Sequence, residues 1–144
     1  MAKNIKILFT KICKEHNKSV TPMRYLILKT LSKLRKPITA YELRDILRAK
    51  NFDINIATIY RIMDFFLEIG LIHKITFLNK YLICSNPEDK KHIHMINFCT
   101  NCEKIFESCD HDMGLDFQKN SKSLGVFFSK DLPIEVPIIC TNCK

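Results

Sequence analysis

The chain has no hydrophobic run that approaches the roughly 20 residues a membrane-spanning helix needs, so we expect no membrane insertion. It also lacks the apolar core of a secretory signal peptide, because Lys6 interrupts the apolar stretch at residues 5–9. Internal repeats and low-complexity tracts are absent as well. Hydrophobic residues make up 47% of the 144 and charged residues 26%, a composition that argues against intrinsic disorder. We therefore expect a cytoplasmic, folded protein of one domain or two small ones.

Acidic side chains are scarce in the first two thirds of the chain. Residues 1–91 hold 18 basic and 8 acidic side chains, a net charge of +10, whereas residues 92–144 hold 5 basic and 7 acidic ones, a net charge of −2. This asymmetry favours a polyanion-binding module joined to a part with a different role. The alternative explanation is a solvated, lysine-rich surface.

The first half of the chain shows four apolar patterns with helical spacing and clear start signals. Pro22 stands at the first position of the second helix, where its fixed backbone angle is favourable. Glu42 stands three residues after a threonine, which is the spacing of a capping box. The side chains with N-cap chemistry are Thr21, Thr39 and Asn55.

The pattern changes after Gly70, which is expected to end the fourth helix. Two short runs that favour β-structure, residues 71–76 and 80–84, predict a hairpin with its turn at 77–79. Three or four helices followed by a hairpin are the element order of a winged helix.

The second half has a different organisation. Residues 85–91 contain a proline and four charged side chains and predict a hinge. The following 50 or so residues are marginal as an independent fold, so a metal or a partner chain is expected to stabilise them. The elements predicted there are strands at 92–98, 104–107, 126–128 and 134–139 and a helix at 112–124. We thus expect a domain at 1–84, a hinge at 85–91 and a domain at 92–144.

The cysteines include two CxxC pairs, Cys99 with Cys102 and Cys140 with Cys143. Two such pairs can form a closed tetrahedral thiolate site, which is typical of structural zinc. The odd total of seven cysteines fits a metal site better than a disulfide framework. Such a site would join the last strand to the first strand of this half. The alternative is a redox dithiol, although neither pair has a thioredoxin-like context.

A second, looser group offers two imidazoles, a thiolate and a carboxylate: His73, Cys84, His92 and Glu107. Zinc accepts this set of donors, and the thiolate of Cys84 favours zinc over Fe(II) or Mn(II). His94 would lie on the same strand face as His92 and is the substitute ligand. The alternative is that Cys84 is a small buried hydrophobe and the histidines lie at the surface.

The fourth helix carries the signal for DNA binding. If its apolar residues are buried, Arg61 on the opposite face can bond a guanine edge in the major groove. Tyr60 can contact a phosphate or a thymine methyl, and Tyr41 at the start of the third helix can hold the backbone. The alternative is an ordinary solvated helix face. The candidate DNA-binding residues are Tyr41, Thr58, Tyr60 and Arg61.

Together these segments resemble the ferric uptake regulator (Fur) superfamily, most closely its zinc-responsive branch, over nearly the whole chain. The matching segments are residues 21–24, 39–43, 57–68, 70–74, 79–84 and both CxxC pairs. The resemblance implies an α+β fold, with an N-terminal winged-helix DNA-binding domain followed by a small α/β dimerisation domain. It further implies a repressor of zinc uptake genes, which binds a palindromic operator in double-stranded DNA as a homodimer, without enzymatic activity, small-molecule substrate or membrane association.

The resemblance also implies metal ligands and about two Zn²⁺ per chain. It assigns the four CxxC cysteines to structural zinc and DNA reading to Tyr41, Tyr60 and Arg61. The regulatory zinc falls on His73, Cys84, His92 and Glu107.

The chain also departs from other members of this superfamily. A histidine shortly before the last CxxC pair and a longer His/Asp run before the first are missing, so we expect no third metal site. The remaining alternatives are an iron- or peroxide-responsive regulator of the same family, a CxxC thiol oxidoreductase, and a DNA-binding protein that zinc stabilises but does not switch. Cys13, Cys109 and His111 receive no role.

Overall fold

The structure, a computed structural model, describes residues 2–89, 93–129 and 132–144. Four helices come first: α1 (Ala2–Glu15), α2 (Pro22–Leu34), α3 (Ala40–Ala49) and α4 (Ile56–Glu68). The hairpin strands β1 (Ile72–Ile75) and β2 (Lys80–Ile83) follow. The remainder consists of β3 (His94–Cys99), β4 (Ile105–Cys109), a 3₁₀ turn (Asp110–Met113), α5 (Phe117–Leu124) and β5 (Ile134–Ile138). The predicted α+β fold class is confirmed.

The predicted N-caps form in the structure, which explains where the helices begin. Thr39 Oγ1 accepts the Glu42 N–H at 3.1 Å, and Glu42 Oε2 accepts the Thr39 N–H at 2.8 Å. Asn55 Oδ1 accepts the Ala57 N–H at 2.8 Å. Thr21 caps α2 in the same way. Each cap satisfies an N–H that the helix itself leaves without a partner.

The four helices enclose one apolar core. Phe9 of α1 meets Phe66 of α4 edge-to-face, with ring centroids 5.9 Å apart, and both rings are fully buried. The hairpin extends this core, because Leu71 and Ile72 pack into the same cluster. α4 ends where Gly70 adopts a φ of 75°, a conformation that glycine takes without strain.

The hairpin, here called the wing, is linked to α3 through the main chain. Ile38 donates its N–H to the Tyr81 carbonyl at 2.9 Å, and Tyr81 donates to the Ile38 carbonyl at 2.8 Å. Ile38 directly precedes Thr39, the cap of α3. The wing therefore has a fixed position relative to the two helices that follow Thr39.

A second apolar cluster connects the wing with the C-terminal sheet. Ile75 and Leu82 of the wing pack against Ile96 of β3, and Leu78 and Ile105 lie at the edge of this cluster. All three central side chains are buried. Apolar contacts thus hold the wing against the second half of the chain.

The C-terminal sheet has the strand order β4-β3-β5. β3 pairs with β4 in antiparallel register and with β5 in parallel register, so that Ile96 lies opposite both Glu107 and Glu135. Since parallel strands end at the same edge of a sheet, Cys99 at the end of β3 lies near the turn that follows β5. The last strand lies against the first, as the sequence predicted.

Two predicted elements of this half are wrong. The predicted helix at 112–124 is a 3₁₀ turn and a separate α5, because Gly114 turns the chain with a φ of 69° and Asp116 then caps α5. The predicted strand at 126–128 is irregular and exposed. A strand needs a neighbour for its hydrogen bonds, and within the described residues the three-stranded sheet β4-β3-β5 does not include residues 126–128.

Within the described ranges, no helix is long and apolar enough to span a membrane.

Replacing Thr39 by alanine removes the oxygen that accepts the Glu42 N–H. We expect Thr39→Ala to lower the free energy of unfolding by about 1 kcal/mol, measured by urea denaturation with circular dichroism. Thr10→Ala is the matched control, because the Thr10 hydroxyl lies within α1 and donates only to the Lys6 carbonyl. It should change the same quantity by less than about 0.5 kcal/mol. Equal losses in both variants would contradict the capping role of Thr39.

Candidate metal centres and nucleic-acid interface

The four CxxC cysteines converge at one end of the C-terminal sheet. Their sulfur atoms all lie within 4.8 Å of one another, and Cys102 Sγ lies 3.7 Å from Cys140 Sγ. Main-chain hydrogen bonds close both turns, since Glu103 donates to the Cys99 carbonyl and Cys143 donates to the Cys140 carbonyl. The parallel pairing of β3 and β5 brings the two turns together although they are far apart in sequence.

The environment of these sulfurs fits a bound cation. The Cys140 and Cys102 N–H groups lower the pKa of the Cys99 thiol to about 6. Hydrogen bonds with the Cys140 and Cys102 thiols raise the pKa of Cys143 to about 12. Full ionisation of the group therefore needs a compensating positive charge. Tetrahedral zinc with four thiolates is the centre that this donor set matches.

A second donor cluster lies between the wing and the C-terminal sheet. Glu107 Oε1 accepts a hydrogen bond from His73 Nε2 at 3.0 Å and lies 3.3 Å from His94 Nδ1 and 3.6 Å from Cys84 Sγ. Glu107 Oε2 accepts the Ser85 N–H at 3.1 Å. The donor atoms of His73, Cys84, His94 and Glu107 all lie within 4.8 Å of one another. We call these four residues the junction cluster.

Strand positions explain how the junction cluster forms. His73 lies on β1 opposite Leu82, and Cys84 follows β2, where its N–H donates to the Leu71 carbonyl at 2.9 Å. Glu107 pairs with Ile96 across β3 and β4, two residues along from His94 on the same face. The wing thus contributes an imidazole and a sulfur, and the C-terminal sheet an imidazole and a carboxylate.

Burial gives the junction cluster its electrostatic character. His73 is only 7% exposed and Cys84 only 6%, so the histidine does not lie at the surface. Burial and the neighbouring Glu107 carboxylate raise the pKa of Cys84 to about 12. Burial also raises the pKa of Glu107, but hydrogen bonds from His73 and His94 outweigh it, so this pKa lies well below its usual range. A metal ion that binds here must displace the Cys84 proton.

The chemistry of the junction cluster fits zinc. One sulfur, two imidazole nitrogens and one carboxylate oxygen form a four-donor set of the kind that zinc binds. His92, the predicted fourth ligand, lies outside the described residues, and the structure brings His94 to the cluster instead. His92 as a ligand therefore stays a prediction.

A cleft of about 420 Å³ opens beside the junction cluster. Cys84 and Glu107 line one wall of this cleft, and Ile5, Leu8 and Arg35 of the N-terminal helices line another. The cleft therefore borders two of the four donor residues of the junction cluster.

A third group of possible metal ligands consists of Asp110, His111 and Asp116, whose ligand atoms also lie within 4.8 Å of one another. However, the buried Asp110 carboxylate accepts the Ile93, His111 and Phe117 N–H groups at 3.1–3.2 Å. Asp116 caps α5. These carboxylates therefore join β4 to α5.

The candidate DNA-reading residues lie on or next to the exposed side of α4. Thr58 and Tyr60 are partly exposed and Arg61 is exposed, and the described part of the chain provides no hydrogen-bonding partner for Arg61. Tyr41 of α3 meets Tyr60 edge-to-face, with ring centroids 6.4 Å apart. The Arg44 guanidinium lies 5.1 Å from the centre of the Tyr41 ring. The guanidinium group of Arg44 therefore lies beside the aromatic pair of Tyr41 and Tyr60.

Sequence reasoning missed one contact between the two halves. Glu135 accepts hydrogen bonds from the wing turn at Thr76 and Phe77. These residues are 58 and 59 positions apart from Glu135, and no local motif indicates the pairing.

A sequence profile of the Ferric uptake regulator family matches residues 15–129. The zinc uptake regulation protein of Escherichia coli (strain K12) is 34% identical over 133 residues, which is 92% of this chain and 77% of that protein.

Solved structures show the same fold. A zinc uptake regulator complexed with zinc and DNA matches with a TM-score of 0.80 at 27% identity, over 99% of this chain and 95% of that one. Holo XcZur matches with a TM-score of 0.76 at 26% identity, over 99% of this chain and 98% of that one. Apo XcZur gives only 0.56 at 28% identity, over 99% and 97%. Since identity and coverage are similar, this chain has an arrangement closer to the holo form.

Replacing Cys102 by serine tests the four-cysteine centre. Zinc at such centres contributes roughly 10 to 16 kcal/mol at neutral pH, more than a domain of this size can replace. We expect Cys102→Ser to bind one zinc fewer per chain and to lose amide protection throughout β3 and β5, while α1 to α4 keep theirs. Zinc analysis and hydrogen exchange measure both effects.

Cys109→Ser is the matched control, because Cys109 lies in the same half but outside both cysteine-containing clusters. It should keep the zinc content and the protection of the unsubstituted protein. Full protection of β3 in Cys102→Ser would contradict a structural role for this centre.

Proposed function

The chain belongs to the Ferric uptake regulator family, and from this premise we propose that it is a zinc-responsive transcriptional repressor. It binds palindromic operator DNA as a homodimer when its regulatory zinc site is filled, and so controls zinc uptake genes. The observation that carries this proposal is the junction cluster, because its four donors come from both halves of the chain. The zinc uptake regulation protein of E. coli and the zinc- and DNA-bound regulator support it.

Zinc, rather than iron, is the metal that the junction cluster favours. Fe(II) sites consist mainly of imidazole and carboxylate, whereas a thiolate such as that of Cys84 shifts the preference toward zinc. A peroxide- or iron-responsive role is therefore the less favoured alternative.

The protein is a transcription regulator and not an enzyme, as the family and the zinc uptake regulators among its relatives indicate. All four CxxC cysteines belong to one centre, so neither pair is available as a separate redox dithiol. We assign this centre to structural zinc and the junction cluster to regulatory zinc, about two ions per chain.

The residues of the junction cluster would act as a switch by connecting two bodies. His73 and Cys84 move with the wing, which the Ile38–Tyr81 bridge ties to α3. His94 and Glu107 move with the C-terminal sheet. Bound zinc would supply a four-coordinate link between them. To act as a switch, zinc must bind the arrangement that fits DNA more tightly than the alternative arrangement, by roughly 3 to 5 kcal/mol.

The winged-helix head, residues 1–84, would read DNA through α4. Arg61 is placed to bond a guanine edge in the major groove, while Thr58, Tyr60 and Tyr41 contact the backbone or nearby bases. The net charge of +10 over residues 1–91 favours attraction to the phosphates.

Residues 92–144 would form the dimerisation domain, after a hinge at 85–91. Several large apolar side chains of this domain are exposed in the single chain, Phe127 at 87% among them. A second copy that covers them would account for an apolar surface that a monomer rarely leaves in water. The exposed apolar side chains of this domain are Phe106, Met113, Leu115, Leu124, Val126, Phe127, Phe128, Leu132 and Ile139.

Replacing Cys84 by serine tests the proposed function. Because a serine hydroxyl does not replace the thiolate ligand, we expect Cys84→Ser to need about 100-fold more free zinc, or more, for half-maximal DNA binding. The measurement is a titration of free zinc in fluorescence anisotropy, with a duplex that the zinc-loaded protein has selected from a random pool. Circular dichroism and the structural zinc should remain unchanged.

Cys109→Ser serves as the control and should titrate like the unsubstituted protein. In the same titration we expect a larger effect from His94→Ala than from His92→Ala, since His94 lies in the junction cluster. If Cys84→Ser bound the duplex at the same free zinc as the unsubstituted protein, the regulatory role of this cluster would be refuted.

Replacing Arg61 by alanine tests the reading face. Loss of a bidentate guanine contact costs about 1 to 3 kcal/mol, so we expect roughly 5- to 150-fold weaker binding to the selected duplex. Binding to a random-sequence duplex should fall far less, because a lost base contact leaves the phosphate contacts intact. Arg61→Lys should keep the affinity for the random-sequence duplex but lose the preference for the selected duplex. Equal losses on both duplexes would reassign Arg61 to a phosphate contact.

A further inference from the structure

The turn of the wing, between β1 and β2, is bonded to the C-terminal sheet by a single carboxylate. Thr76 donates its N–H to Glu135 Oε1 at 2.5 Å, and Phe77 donates its N–H to Glu135 Oε2 at 3.1 Å. Both oxygens of the carboxylate are thus used by consecutive main-chain groups. We call this pair of hydrogen bonds the wing-turn contact.

Side chains on both sides reinforce the wing-turn contact. The Phe77 ring stacks on Phe98 of β3, with centroids 4.9 Å apart and planes at 13°. Phe77 is 70% exposed even with its ring stacked on Phe98. Glu135 lies opposite Ile96, the β3 residue that packs on the wing. The carboxylate therefore lies next to the apolar cluster that connects wing and sheet.

The wing-turn contact is separate from both candidate metal centres. Its groups are two main-chain amides and a carboxylate that belongs to neither the junction cluster nor the four-cysteine centre. Charge-assisted hydrogen bonds of this kind are stronger than neutral ones. They connect the same two bodies as the junction cluster, but they need no ion.

A contact that exists in only one of two arrangements shifts the equilibrium toward that arrangement. The wing-turn contact requires the wing turn to lie on the sheet, as it does in this arrangement, which is closer to holo than to apo XcZur. It therefore stabilises the same arrangement that zinc would stabilise, and it reduces the differential affinity that zinc must supply.

We infer that Glu135 is a positioning residue that sets the zinc concentration at which this protein binds its operator, through its hydrogen bonds to Thr76 and Phe77. This inference rests on the proposed function. Without the wing-turn contact, the arrangement that binds zinc and DNA is less populated, so more zinc is needed to fill it.

Glu135→Gln removes the charge and keeps the shape. One terminal atom of glutamine is an NH₂ donor, so it cannot accept a second main-chain N–H. Phe77→Ala keeps the Phe77 N–H but removes the ring that stacks on Phe98, and so weakens the support of the wing-turn contact from the exposed side. This variant should fold normally. Glu88→Gln is the matched control: Glu88 is an exposed carboxylate paired with Lys11, and such exposed pairs contribute little.

The first measurement is amide hydrogen exchange on the zinc-loaded, full-length protein. In Glu135→Gln we expect Thr76 and Phe77 to exchange about 10-fold faster, since hydrogen bonds to charged groups are lost. Glu88→Gln should leave these two amides unchanged. Unchanged exchange in Glu135→Gln would overturn the wing-turn contact itself, whatever the protein binds.

The second measurement is the free-zinc titration of binding to the selected duplex. We expect the half-maximal zinc concentration to rise roughly 3- to 10-fold in Glu135→Gln and in Phe77→Ala. Zinc content at saturation, dimer mass and the Glu88→Gln curve should not change, which distinguishes a shifted set point from a damaged fold.

The outcomes separate this inference from the proposed function. If the unsubstituted protein binds DNA only with zinc and Glu135→Gln titrates identically, Glu135 does not set the zinc response and the inference fails alone. If the unsubstituted protein shows no zinc-dependent DNA binding, the proposed function fails, and the inference fails with it even where exchange confirms the contact. Tighter binding by Glu135→Gln would also refute the inference, because the freed wing would then contact DNA.

Discussion

The packing of the wing against the C-terminal sheet is the interaction on which the rest of this structure depends. Ile75, Leu82 and Ile96 form a small buried cluster there, and two polar contacts lie around it. One is the junction cluster, whose donors surround Glu107, and the other is the wing turn bonded to Glu135. Since this apolar cluster is small, the polar groups around it would contribute a large share of the interaction between the two bodies. An interface of this composition suits a switch better than a large apolar one would.

The C-terminal half is small and depends on connections across its sheet. Within the described residues, β5 joins the sheet through parallel pairing with β3, and Thr100 donates to the Ile138 carbonyl at its end. The four cysteines lie beyond this point, so a metal there would fasten both strands. The same strand carries Glu135. A metal at the four-cysteine centre would therefore also be connected to the wing through β5, even though this centre lies away from the junction cluster.

Local chemistry made much of the fold predictable. Thr39 with Glu42, Asn55 and Gly70 act through neighbours within a few residues, so their roles follow from the sequence. The hairpin follows from local residue preferences in the same way, whereas the convergence of the CxxC pairs follows from the zinc chemistry of two cysteine pairs. The isolated strand at 126–128 was wrong, because a strand depends on partners that residue propensity does not identify. Gly114 breaks a pattern that is otherwise helical, because it turns the chain between the 3₁₀ turn and α5.

The candidate site also combines residues that the sequence indicates with residues that only the structure identifies. Residue types indicated Cys84, His73 and Glu107, but a choice between His92 and His94 depends on the exact register of β3, which sequence spacing leaves open by a residue or two. Glu135 could not be identified, because both of its partners are main-chain amides on a distant turn. Contacts of this type leave no trace in the identity of the partner residues.

The two main-chain hydrogen bonds between Ile38 and Tyr81 have a consequence for how such a regulator tolerates change. They join the hairpin to the start of α3 through the main chain, so under the proposed function a displacement at the junction cluster would reach α3 without a relay of side chains. Main-chain bonds survive most substitutions. Such a route would not depend on the side chains along it, whereas the contacts around Glu107 and Glu135 would depend on one carboxylate each.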